Sequence, residues 1–173
     1  MALFYPTMYR RRITDISVAD LANMGVSAVL LDVDNTLTTH DNPHITEAVN
    51  AWLCNMRAAG MRLIIVSNNS DERVAPFAQA LEMPYTAHAC KPLPKGYREA
   101  AAAVGMPLSA CVAIGDQIFT DILGANLSGI KSILLEPIEP EIEQKFIVFK
   151  RKIERILLAN KRQRRRKDAD YEY

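Results

Sequence analysis

Short apolar runs alternate along the chain with longer stretches in which apolar residues recur every three or four positions. Four runs stand out: VSAVLL at 26–31, MRLIIV at 61–66, MPLSACVAI at 106–114 and IKSILL at 130–135. Each follows a glycine, at Gly25, Gly60, Gly105 and Gly129. Glycine just past a helix end accepts the left-handed turn that other residues resist. The pattern therefore predicts four helix-to-strand connections. Runs apolar on both faces predict strands covered by helices, which is the pattern of a parallel sheet. A short extended piece near Tyr85 to Ala87 is a further strand candidate. Between the runs, Ala48, Trp52, Met56 and Ala59 recur at helical spacing, with Thr46 as N-cap. Ser70 precedes Asp71 and Glu72, a cap followed by carboxylates at the positive helix end. Residues 96–104, GYREAAAAV, have high helix propensity.

Three runs end in polar chemistry. The first leads into Asp32-Val33-Asp34-Asn35-Thr36, the second into Ser67-Asn68-Asn69, and the third into Gly115-Asp116, with Asp121 five residues on. Ligands of open parallel sheets bind beyond the carboxyl ends of the strands, so the three clusters are expected on one rim. Asp32 and Asp34 lie two residues apart, which in extended chain places both side chains on one side. Carboxylates that close repel each other, and a bound cation relieves the repulsion. With Asp116 added, the donors are all oxygen, which suits magnesium. His40, His44 and His88 lack a zinc-ligand spacing.

These stretches resemble the four motifs of the haloacid dehalogenase (HAD) phosphatases: DVDNT, IVSNN, the lysine of ACKPLPKG, and GDQIFTD. The wording, with FYP near the start and KIERILL near the end, is similar to the YqeG-like group of subfamily IIIA, a group related to the mitochondrial phosphatidylglycerophosphate phosphatases. The resemblance covers about residues 3–158. It implies a Rossmann-like α/β three-layer sandwich with a central parallel sheet. It also implies Asp32 as a nucleophile that forms an aspartyl-phosphate, and Asp34 as acid and base. Mg2+ would be held by Asp32, Asp116 and the backbone carbonyl of Asp34. Ser67, the N–H of Asn68 and Lys91 would hold the phosphoryl group. Thr36 and Asp121 would support the site from behind, Asp121 orienting water or Lys91. Lys95 competes with Lys91 for the lysine role, and Ser67 has the alternative of capping the next turn. Cys90 stands beside Lys91 as a reactive or an inert thiol. His40 and His44 are either substrate contacts or simply exposed.

Only 32 positions separate Asp34 from Ser67 and 23 separate Ser67 from Lys91, so neither insert holds a cap domain. Apart from a short flap around Thr38 to His44, the site is expected to be open. An open site suits a phosphate carried by something large, which closes the crevice itself.

Length and charge refine the picture. The chain's 173 residues suit one domain at 1–140, with residues 1–25 as an N-terminal extension. Residues 1–144 carry 10 basic and 16 acidic side chains, a balance of −6, whereas 145–173 carry 11 and 4, a balance of +7. At 141–160 an apolar stripe of Ile142, Phe146, Phe149, Ile153 and Ile156 runs beside Lys150, Arg151, Lys152 and Arg155. This predicts a basic amphipathic helix that docks on its own domain or on anionic lipid. The tail 161–173 reads as disordered, with Lys161 to Lys167 either solvated or touching acidic lipid or RNA. Three scattered cysteines, no apolar run of membrane-spanning length and no signal-peptide pattern fit a cytoplasmic protein, peripheral at the inner membrane face if the helix binds lipid. The expected function is a magnesium-dependent phosphomonoesterase acting on phosphatidylglycerophosphate. The alternatives are a phosphoprotein, a nucleic-acid end or a soluble ester as substrate, or an RNA- or phosphate-binding module working through the tail.

Overall fold

A computed structural model describes residues 3–40 and 42–139 of the chain, all within the unit Met1–Glu139. The expected helix at 141–160 and the tail at 161–173 lie outside the described residues.

The centre of the fold is one sheet of six parallel strands in the order β1-β6-β5-β2-β3-β4. The strands are β1 (Met8–Arg10), β2 (Ala28–Leu31), β3 (Arg62–Val66), β4 (Tyr85–Thr86), β5 (Cys111–Gly115) and β6 (Lys131–Leu135). Helices α1 (Val18–Asn23), α2 (Glu47–Ala58), α3 (Asp71–Ala80), α4 (Pro94–Ala103) and α5 (Leu123–Leu127) complete two covering layers. The two-residue period of a strand sorts its side chains between these layers. Val29, Leu31, Ile65 and Ile114 pack with Leu21, Trp52, Leu53, Met56 and Phe77 on one face. Ala28, Leu30, Ile64 and Ala113 pack with Tyr97, Ala100, Ala101 and Ala125 on the other. Bulky side chains fill the first layer, while alanines in the second let α4 and α5 approach the sheet closely. Fully burying a residue such as Leu31 or Ile64 is worth about 1.5–3 kcal/mol.

The sequence pattern and the structure agree on the strands β2, β3, β5 and β6. Gly25, Gly60, Gly105 and Gly129 all have positive φ, between 65° and 80°, as the turn argument requires. Thr46 caps α2, its hydroxyl accepting from Val49 N at 3.3 Å. Ser70 stands at the N-cap of α3 without a side-chain cap bond to the helix backbone. Helix α4 starts at Pro94, two residues before the propensity-based start at 96, because proline is well suited to a first helical turn.

The N-terminal segment departs most from expectation. Read as an extension over 1–25, it supplies β1, which pairs with β6 in the register Met8↔Ile133. The triplet Met-Tyr-Arg carries no apolar run because β1 is an edge strand with one face partly solvated. The Tyr9 hydroxyl donates to Glu136 at 2.7 Å, and Arg10 pairs with Asp20 at 2.9 Å. Trp52 Nε1 donates to the Ile16 carbonyl at 2.7 Å, holding this segment on α2 from inside.

Candidate active site

Strand β2 lies between β5 and β3, so the residues that follow these three strands emerge side by side at one edge of the sheet. Asp32 continues the ladder, its N–H donating to Ile114 O at 3.0 Å. The chain then turns tightly. Leu37 N and Thr36 N donate to Val33 O at 2.9 and 3.2 Å, and Asn35 takes a φ of 59°. The turn follows Asp34 directly, and Asp32 and Asp34 stay close enough for the Asp34 charge to help raise the Asp32 pKa, while their carboxylates take different hydrogen-bond partners.

Asp32 faces Lys91. The Lys91 ammonium donates to Asp32 Oδ1 at 2.6 Å and to Asp121 Oδ1 at 2.7 Å, and Lys91 is only 8% exposed. Asp32, Asp116 and Asp121 each bring an oxygen within 4.8 Å of the others, and all three are removed from solvent. Burial pushes the Asp32 carboxyl up to about 7, although the Lys91 ammonium pulls it down. Burial alone would lower the Lys91 pKa. The charges of Asp121 and Asp32 outweigh that effect and raise it, so the ammonium stays protonated.

Local geometry explains how Asp121 reaches this point. Ile118–Ile122 form one wide turn of π type, with Ile122 N reaching back to Gln117 O at 3.3 Å. Such turns insert a residue into a helix and are frequent at functional sites. Asp121 Oδ2 accepts from Gln117 N at 3.1 Å, which fixes the carboxylate over the end of β5. A Cβ on Gly115 would stand 2.3 Å from Asp121 Cγ, so only glycine leaves room for it.

Ser67 is buried at the end of β3, its Oγ accepting from Asn69 N at 3.2 Å. Asn68 grips the backbone of Lys91: its Oδ1 accepts from Lys91 N at 2.6 Å and its Nδ2 donates to Lys91 O at 3.1 Å. This side-chain clamp was not foreseen from the sequence, where only the Asn68 N–H was considered. Lys95 points elsewhere, exposed on α4 and 3.7 Å from Glu99. Thr36 is buried, and its hydroxyl has no hydrogen-bond partner among the described residues. Cys90 is exposed, with its thiol on the His88 carbonyl at 3.3 Å.

Asp34 has three partners that the motifs did not announce. Asn69 Nδ2 donates to its Oδ2 at 2.6 Å, Arg73 NH2 donates to its Oδ1 at 2.6 Å, and His40 Nδ1 lies 3.2 Å from the same Oδ1. Arg73 also donates to the His40 carbonyl. The carboxylate thus ties the flap to the first turn of α3. His44 contributes its carbonyl, which accepts from the Thr38 hydroxyl at 2.7 Å. The signal for Arg73 lies in the run SNNSDER, since a helix that starts at this edge must present its first turn to the site.

The donor set fits a hard divalent cation. Three buried carboxylates face one ammonium, a local excess of negative charge, and every available ligand atom is oxygen. Among the described residues the segments between Asp34 and Ser67, and between Ser67 and Lys91, hold only the flap, α2, α3 and the strands β3 and β4. Among the described residues no cap domain stands over the site.

Comparison with known proteins gives concordant results. Residues 43–129 match the family model of haloacid dehalogenase-like hydrolases. A Bacillus subtilis (strain 168) protein named probable phosphatase YqeG is 36% identical over 157 residues, covering 90% of both chains. The chloroplastic phosphatidylglycerophosphate phosphatase 1 of Chlamydomonas reinhardtii is 27% identical over 78% of this chain, which spans 54% of that protein's length. The fold is shared with a solved structure of an uncharacterized protein from Listeria monocytogenes serotype 4b. The two chains are 17% identical, with a TM-score of 0.56 over 69% of this chain and 85% of the other.

Proposed function

The chain belongs to the haloacid dehalogenase-like hydrolases and is a phosphatase of that family, and from this membership we propose how its residues divide the work. Asp32 is the nucleophile: one carboxylate oxygen bonds to phosphorus as the bond from phosphorus to the ester oxygen breaks. Asp34 gives a proton to the departing alcohol. It then takes one from the water that cleaves the aspartyl-phosphate and releases inorganic phosphate. Lys91, the Ser67 hydroxyl and the Asn68 N–H hold the phosphoryl oxygens while charge shifts across them. Asp121 keeps the Lys91 ammonium in place. Asp32, Asp116 and the backbone carbonyl of Asp34 would hold magnesium, which when bound would offset the repulsion between phosphate and carboxylates and supply positive charge to the transferring group.

The observation that carries this reading is the Lys91 ammonium bridging Asp32 and Asp121 beside Asp116, drawn from three separate stretches of chain. Asp32→Asn is expected to reduce magnesium-dependent hydrolysis of p-nitrophenyl phosphate to the level without enzyme. Unchanged turnover would falsify the nucleophile assignment.

For the substrate we propose phosphatidylglycerophosphate. The uncapped site and the similarity to the chloroplastic phosphatase support it. Release of phosphate from vesicles containing this lipid tests the choice. Turnover of soluble esters with none at the vesicle would remove the lipid and leave the chemistry standing.

A further inference from the structure

A cavity of about 540 Å3 is lined by residues of the flap, of α3 and of the segment before it, among them the three side chains that contact Asp34: His40, Asn69 and Arg73. Its lining also includes the buried apolar side chains Val33, Val74 and Phe77. The Arg73 side chain is 39% exposed. Its NH2 serves Asp34 and the His40 carbonyl, while its Nε and NH1 donate to nothing among the described residues. A guanidinium with donors in hand at the mouth of a cavity is suited to a phosphate or carboxylate, which it binds through paired hydrogen bonds. The proposed proton donor, Asp34, lies next to the departing alcohol during the reaction. A cavity beside Asp34 is therefore on the alcohol side of the scissile bond.

We propose that this cavity receives the leaving alcohol and that Arg73 recognises a second anionic group on it. The preferred substrate is a phosphomonoester whose alcohol bears another phosphate or carboxylate a few bonds away, with its carbon skeleton against Val74 and Phe77. Arg73 is then a specificity-determining residue. This inference rests on the phosphatase reading above and deepens it. Phosphatidylglycerophosphate meets the requirement, because the alcohol it releases keeps a phosphodiester, and so do soluble bisphosphates.

Steady-state kinetics in magnesium with three probes tests the inference. The probes are p-nitrophenyl phosphate, which has no second anion, the deacylated glycerophosphoglycerophosphate headgroup in solution, and the intact lipid in mixed micelles. Arg73→Gln lowers kcat/KM for all three, because Asp34 loses a partner. The expected loss is at least tenfold greater for the two probes with a second anion and falls mainly on KM, and Arg73→Lys recovers part of it. Equal losses on all probes would reduce Arg73 to a support for Asp34 and overturn the proposal. So would a wild-type enzyme that turns over only the aryl ester. A larger loss on the lipid alone, with the soluble headgroup behaving like the aryl ester, would also overturn it, since the second anion would then not be what is read. If wild type hydrolyses none of the probes, the phosphatase assignment itself fails, a result distinct from the others.

Discussion

Asp32 sits where two demands conflict. The proposed roles of nucleophile and metal ligand need it ionised, yet burial pushes its pKa from an ordinary 3.8 up to about 7 in the metal-free protein. A carboxyl whose folded pKa is raised contributes stability that is fully present below its unfolded value and lost as pH rises through the folded one. The metal-free protein is therefore expected to lose this contribution between about pH 4 and pH 7. A divalent cation favours the ionised form, so magnesium should raise Tm more at pH 7.5 than at pH 5. Thermal unfolding at both pH values, with and without magnesium, checks this; an equal or larger increment at pH 5 would contradict it. At this scale the sequence was partly legible. Asp32, Ser67 and Asp116 could be picked out because each interrupts an apolar run at a strand end. Asn69 stood in the polar cluster after β3, but its bond to Asp34 did not show there, and Arg73 was masked because a polar first turn of a helix has a sufficient local explanation in capping and charge. Lys91 and Lys95 differ only in which one the turn before α4 directs inward, which is a property of the fold.

Among the elements, α4 shows how a helix fixes the loop that carries Lys91. A Cβ on Gly96 would meet the Ala89 carbonyl oxygen at 2.5 Å and Ala89 Cα at 2.8 Å. The helix start therefore presses against the backbone two residues before Lys91. These contacts involve backbone atoms, which cannot swing aside as a flexible side chain does. Gly96→Ala is expected to destabilise the fold by about 1–3 kcal/mol, as overpacking does, although alanine is the better helix former. Urea unfolding measures it, and a stability equal to wild type would show that the helix start can shift freely. The strands β2, β3, β5 and β6 were readable from their apolar runs and preceding glycines. Strand β1 was not, because a three-residue edge strand with one face partly wet needs no apolar pattern. Strand β4, two residues at Tyr85–Thr86, lies within the strand candidate near Tyr85 to Ala87, although it is too short for a period to show.

At the scale of the whole molecule, the described unit is a parallel sheet with its chemistry on one open edge. Among the described residues no helix is long and apolar enough to cross a membrane. A phosphatase that acts on a lipid headgroup then has to be brought to the surface, and the sequence places 11 basic residues in 145–173. Truncation after Asn160 removes six of them between Lys161 and Lys167. The truncated protein is expected to keep its p-nitrophenyl phosphate activity and to bind anionic vesicles more weakly. Vesicle co-sedimentation at low and moderate salt distinguishes this from a tail with no such role, which would leave binding unchanged. The α/β class was legible from the alternation of apolar runs and helical stretches, and the short spacings between motifs limited what the two inserts could hold, which among the described residues is no cap.

The single tryptophan of the chain has a practical consequence. Trp52 is buried on α2 with its indole N–H on the Ile16 carbonyl. The tryptophan emission of the protein, excited selectively over its six tyrosines, therefore comes from one indole placed where the N-terminal segment meets the helical layer. An emission spectrum reads the integrity of that junction directly, with no label attached and no second fluorophore of its kind to deconvolute.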